Sequence, residues 1–233
     1  MVTDFHSHIL PGIDDGSRSV EESIAMLRME AEQGVTHVVA TPHFYPQYQT
    51  PEEFLEKRTR AEEMLREEMQ KHEGLPYVSV GAEVYFFRGI GQSNCVELLT
   101  IAEKKYILLE MPVSVWTDAM YEEIEGIYSQ QGITPVIAHV DRYLHSLRSR
   151  SIPNRLERLP VMVQANASFF TDRRTAGLAC RMLKKQQIHL LGSDCHNLTD
   201  RKPNMVDAIS CIHRKLGDDA VDYLLRCESH IFG

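Results

Sequence analysis

Long apolar runs are absent from this 233-residue chain. None approaches the roughly 20 residues of a membrane span, so no integral membrane segment is expected. The opening Met1-Val2-Thr3-Asp4-Phe5-His6 lacks the basic and apolar regions of an export signal. Cysteine is sparse. Cys95, Cys180, Cys195, Cys211 and Cys227 are scattered, odd in number and without a C-x-x-C pair. That pattern excludes a disulfide framework and a thiolate zinc site, and points to a reducing, cytoplasmic compartment. Positive charge is in deficit: 25 Lys+Arg stand against 33 Asp+Glu, a net charge of −8. A protein whose main task is gripping nucleic-acid backbone needs the opposite balance, so no nucleic-acid partner is expected. A phosphorylated substrate is still admissible, because a few arginines and bound cations can reverse a local field.

What is present is an ordinary globular composition arranged as alternating short β-rich runs and amphipathic helices. Strands are expected at Val2 to Phe5, Val35 to Ala40, Tyr77 to Val84, Tyr106 to Met111, Thr134 to Ala138, Leu159 to Ala165 and Ile188 to Gly192. Ser19 with Glu22 reads as a capping box opening the first helix, which Gly34 ends. Thr50 and Pro51 open a second, very polar helix. Further helices are expected from Asp118 to Gln131 and from Thr171 to Gln187, with two more separated at Gly217-Asp218. Regular βα alternation with apolar strands indicates a parallel sheet, and about seven such units suggest a closed barrel. No linker, low-complexity tract or repeat interrupts the chain, so residues 1–233 read as a single domain.

The chemistry lies in where metal-binding side chains fall. His6 and His8 follow strand one, with Asp14 and Asp15 in the next loop. His43 follows strand two, Glu83 and Glu110 close strands three and four, His139 closes strand five, and Asp194 and His196 close strand seven. In a parallel barrel those C-terminal ends converge on one face. H-x-H and D-x-H on extended segments turn both side chains the same way. A donor set of imidazoles and carboxylates suits a cluster of manganese, iron or zinc ions. One H-x-H alone is weak; the joint placement carries the inference. His37, His72, His145, His189, His213 and His230 do not share that placement and read as surface or core residues.

These motifs carry a resemblance. His6-x-His8, Thr41-Pro42-His43, Glu83, Glu110, His139 and Ser193-Asp194-x-His196 look like those of the polymerase and histidinol phosphatase (PHP) superfamily. Phe5 to Gly16 (FHSHILPGIDDG) and Ala40-Thr41-Pro42-His43 resemble its bacterial capsule-type tyrosine-protein phosphatases, and the likeness spans nearly the whole chain. The resemblance implies a distorted (β/α)7 TIM-like barrel with a metal cluster at the C-terminal strand ends. It implies two or three divalent ions, usually manganese, with iron, zinc or magnesium as alternatives. One ion would take His6, His8, Glu83 and Asp194. A second would take Asp15, the matching acid of its pair, with His43 and His196. A third would take Glu83 as a bridge, with Glu110 and His139. Asp4 would orient a histidine from behind. Arg142 and Arg201 match basic positions expected to act in catalysis and grip the phosphoryl group, with Arg18 a third substrate-binding candidate. His139-Val140-Asp141-Arg142 departs from the family, where proline and glutamate more often precede the arginine.

The implied activity is hydrolysis of phosphotyrosine on a bacterial tyrosine kinase that regulates capsule or exopolysaccharide synthesis. The alternative is a phosphatase of small phosphomonoesters such as histidinol phosphate. Cys195 to Arg201 also reads C-x5-R, the spacing of cysteine-dependent tyrosine phosphatases. A phosphate cradle needs glycine and open backbone N–H groups, however, and His196-Asn197-Leu198-Thr199-Asp200 has no glycine and ends in an acid. Cys195 is therefore expected to face away from the donors as buried filler.

Overall fold

The computed structural model describes residues 2–144 and 151–232; His145 lies outside them. The elements run β1 (Thr3–Ser7), α1 (Val20–Glu32), β2 (His37–Ala40), β3 (His43–Phe44), α2 (Pro51–Met69), β4 (Tyr77–Val80), β5 (Glu83–Tyr85) and β6 (Tyr106–Glu110). They continue with α3 (Asp118–Gln131), β7 (Thr134–Ile137), α4 (Ile152–Leu156), β8 (Met162–Asn166), α5 (Ala167–Thr171), α6 (Ala176–Lys184), β9 (Leu190–Gly192), α7 (Met205–Leu216) and α8 (Asp218–Phe232). No helix among the described residues is long and apolar enough to cross a membrane.

All strand pairs are parallel, as the apolar runs require. One sheet has the order β1-β2-β4; the other, a half-barrel wall, runs β3-β5-β6-β7-β8-β9. Two expected strands are thus each split. Thr41-Pro42 separates β2 from β3, since proline has no N–H for the ladder. Gly81-Ala82 separates β4 from β5, where the Gly81 position lies close against Ile101. The two sheets meet along a seam: Asp194 N–H donates to the His6 carbonyl at 2.7 Å, and His8 N–H to the Cys195 carbonyl at 2.9 Å.

Two capping expectations resolve differently. Thr50 and Glu53 form a reciprocal box on α2. On α1, Ser19 accepts from Glu22 N–H, but the Glu22 carboxylate takes Arg18 N–H instead of closing the box. The helix expected from Thr171 to Gln187 begins only at Ala176, because Asp172 and its turn interrupt it.

The larger apolar core packs helices against the outer strand faces. A smaller one gathers Phe5, Val39, Leu108, Val136 and Leu190, drawn from both sheets, beneath Ile101 and Ile231. Above it β9 passes so close to β1 that a Cβ on Gly192 would sit 2.5 Å from His6 Cβ and 2.8 Å from Gln164 Nε2. Gly192→Ala should therefore cost about 1–3 kcal/mol by overpacking. Gly177→Ala, in open space on α6, should be neutral or stabilising. Urea denaturation of the two variants checks the contrast.

Candidate metal centre

Strand alternation and the seam bring the expected donors to one end of the sheets. Eight of the nine side chains form linked groups whose ligand atoms lie close together: His6, His8 and Asp194; His8, Asp15, His43 and His196; His43, Glu83 and Glu110. His139 Nε2 joins them at 2.6 Å from Glu83 Oε1 and 3.6 Å from Glu110. His139 and Asp194 both adopt positive φ, +30° and +55°, a conformation non-glycine residues hold only when their surroundings impose it.

The imidazoles are oriented from behind. His8 Nδ1–H donates to Asp14 at 2.8 Å, and Asp14 also accepts from Gly16 and His43 N–H. His6 Nδ1 lies 3.3 Å from Gln164 Oε1, which accepts His139 N–H at 2.6 Å. His196 Nδ1–H donates to the Asp194 carbonyl at 2.9 Å. Occupied Nδ1 positions leave Nε2 as the lone-pair nitrogen of each neutral ring. His6 Nε2 and His8 Nε2 then face each other at 3.1 Å. His196 Nε2, Glu83 Oε2 and Glu110 Oε2 are buried without a hydrogen-bond partner. Lone pairs turned on one another in a buried pocket need a cation between them, so the donor set fits hard divalent ions.

Protonation patterns agree. Burial would lower the His8 pKa, but the Asp14 carboxylate overrides it and lifts the group to about 10. Burial raises Glu83 and Asp194, yet the imidazoles hold both below the usual carboxylate range. Burial and the nearby His8 push His196 down to about 4. Without a cation, a proton on His8 occupies the place of positive charge.

Arg142 and Arg201 reach the same spot from two sides. Arg142 Nη2 donates to Asp194 Oδ2 at 2.7 Å and Arg201 Nη2 to Oδ1 at 2.9 Å. About a third of each side chain stays exposed, 35% and 36%. Arg18 is exposed; its backbone N–H donates to Glu22, and its guanidinium forms no ion pair with the cluster among the described residues. Among the described residues Asp4 makes no hydrogen bond to an imidazole. Its carboxylate accepts His6 N–H and Ser193 N–H and hydroxyl, so it braces the seam backbone. Cys195 is fully buried, with Sγ 3.9 Å from Glu30, and burial pushes its thiol far above the ordinary range. Such a thiol is no nucleophile.

Sequence reasoning did not single out Asp14 as an orienting group, nor Gln164, Asn166 or Tyr143. Asn166 Nδ2 donates to Asp194 at 3.0 Å, and Tyr143 hydroxyl lies 3.2 Å from His139 Nδ1. The legible signal was Gln164-x-Asn166: polar residues at period two, closing an apolar strand that no acid or histidine directly follows.

A parallel α/β scaffold with buried imidazoles and carboxylates gathered at one end defines a class of proteins equipped to hold metal. The chain belongs to the capsular polysaccharide synthesis family CpsB/CapC, whose family model matches residues 2–231. It is 30% identical to the tyrosine-protein phosphatase CpsB of Streptococcus pneumoniae, covering 92% of this chain and 90% of that protein. It is 27% identical to the tyrosine-protein phosphatase YwqE of Bacillus subtilis, covering 95% and 87%. The fold matches a solved structure from work on these two proteins, described there as unique metal-dependent tyrosine phosphatases. The TM-score is 0.85 at 24% identity, over 97% of this chain and 93% of that one.

A raised His8 pKa has a consequence for metal uptake. The imidazolium must lose its proton to become a ligand, so binding at pH 7 should release a proton and apparent affinity should rise with pH towards about 10. Asp14→Asn should reduce that release. Calorimetric titration in buffers of differing ionisation enthalpy reads the proton count.

Proposed function

We propose that this chain hydrolyses phosphotyrosine on a bacterial tyrosine kinase controlling capsule or exopolysaccharide synthesis, and does so with bound manganese. The activity is that of its family: the chain is a metal-dependent tyrosine-protein phosphatase. The observation that carries the metal reading is the buried convergence of the His6 and His8 Nε2 atoms on Glu83 and Asp194, with the buried Nε2 of His196 left without a hydrogen-bond partner. Two or three ions are proposed. The first is assigned to His6, His8, Glu83 and Asp194, the second to Asp15, His43 and His196, and the third to Glu83, Glu110 and His139. Asp15 is preferred to Asp14 because its Oδ1 lies 3.3 Å from His43 Nε2 and 3.4 Å from His196 Nε2, whereas Asp14 is occupied by His8.

We infer a closed, distorted (β/α)7 barrel in which β2 runs on into β3 and β4 into β5 as single staves. The β1–β9 seam and the apolar cluster drawn from both sheets support closure. The larger core draws on residues from Ile9 to Leu224, which supports a single domain over 1–233. The proposed location is the cytoplasm, where free thiols such as those of Cys180, Cys211 and Cys227 persist.

When bound, divalent ions supply Lewis acidity that activates water and offsets phosphoryl charge. The chain's own contribution is placement. Asp14, Gln164 and the Asp194 carbonyl fix the imidazoles so that no reorganisation accompanies reaction. Arg142 and Arg201, each partly exposed above Asp194, offer guanidinium forks to phosphoryl oxygens. Arg18, on the turn after Asp15, is a third candidate for substrate contact. The tyrosine phenol has a pKa of about 10, so it leaves without a strong general acid.

Chelation to a verified metal-free state should abolish phosphatase activity until manganese or a related ion returns. With metal, a phosphotyrosine peptide should be turned over faster than a phosphoserine peptide or histidinol phosphate. Full activity without metal sinks the reading, and preference for histidinol phosphate replaces it with a small-phosphomonoester phosphatase. Arg142→Ala and Arg201→Ala should each reduce kcat/KM by about tenfold or more, the worth of a charge-assisted hydrogen bond. Metal content should stay near wild type, which elemental analysis checks.

A further inference from the structure

The two strands that carry His43 and Glu83 do not end at those donors. One pleat further out, alternation sets Tyr45 beyond His43 and Tyr85 beyond Glu83, on the same faces. The intervening Phe44 and Val84 turn the other way and are buried. The Tyr45 and Tyr85 rings lie 5.6 Å apart, and Tyr45 sits 5.0 Å from the His43 ring with its hydroxyl 3.3 Å from Nδ1. Tyr48 meets Tyr45 edge-on at 6.1 Å and is 82% exposed, the most exposed large hydrophobic side chain described. Tyr45 is thus the central ring, beside the donor His43, flanked by Tyr85 and leading to the solvent-exposed Tyr48. An aromatic side chain left in water, touching its neighbour only by an edge, gains little for the fold.

We propose that Tyr45, Tyr48 and Tyr85 form an aromatic wall that receives the phenyl ring of a phosphotyrosyl substrate and so selects aryl over alkyl phosphate esters; this rests on the phosphatase reading above. A phosphoryl group held between the donors and the two arginines places its ester oxygen outward. An aryl ester then lays a flat, apolar ring along the tyrosines in offset or edge-on contact. A serine ester offers only a methylene there.

The test uses the manganese-loaded enzyme, with Tyr48→Ala and Tyr48→Phe chosen because the residue is exposed and its loss leaves the core intact. Tyr48→Ala should lower kcat/KM on both a phosphotyrosine peptide and phenyl phosphate by about three- to tenfold, mainly through KM. Tyr48→Phe, which keeps the ring, should stay within about twofold of wild type. Inhibition by inorganic phosphate, which has no ring, should be unchanged in both. Unchanged efficiency in Tyr48→Ala overturns the proposal. So does loss on the peptide alone, which would assign Tyr48 to flanking residues, or an equal loss in phosphate affinity. Wild-type enzyme that fails to hydrolyse phosphotyrosine at all would instead refute the underlying phosphatase reading.

Discussion

The approach of His6 Nε2 to His8 Nε2, 3.1 Å apart and sealed from water, is the constraint around which this protein is built. Each ring is committed at Nδ1 to a group behind it, so neither can turn its lone pair away. A buried pair of this kind is unfavourable unless positive charge lies between or beside the nitrogens. The surrounding carboxylates state the same demand. Glu83 and Asp194 are ionised in a buried setting, and only imidazolium, guanidinium or metal charge can balance them. The acidic net charge of the chain is thus compatible with phosphate chemistry, because the field at the mouth is set locally.

Holding such a cluster requires a stiff frame, and the frame is the seam between β1 and β9. There the first and last strands meet: Asp4 accepts hydrogen bonds from His6 and Ser193, the latter 189 positions away. Gly192 lets the strands close, and positive φ at His139 and Asp194 aims two donors that regular strand geometry would send elsewhere. Behind the seam Glu30, Asp4 and Cys195 form a second buried polar group. There burial favours the neutral carboxyl of Glu30, and a thiol fits where a nucleophile could not work.

The amino-acid sequence by itself determined the parallel α/β class and the identity of the cluster. Fully apolar strands flanked by amphipathic helices have few other ways to bury themselves, and donors at successive strand ends share a face once the strands are parallel. It also led to the expectation that Cys195 turns away from Asp194 and His196, although the backbone there lies beyond β9 and Asp194 takes φ +55° rather than continuing the strand. Tertiary structure alone decided the rest. Whether Asp14 or Asp15 faces the cluster depends on a loop whose course is set by Gly16 passing close to the His8 carbonyl. That Asp4 braces backbone, and that Gln164 serves both His6 and His139, follows from contacts across the seam and across strands. Local pattern has no term for these contacts, since their hydrogen bonds join residues that chain order keeps far apart.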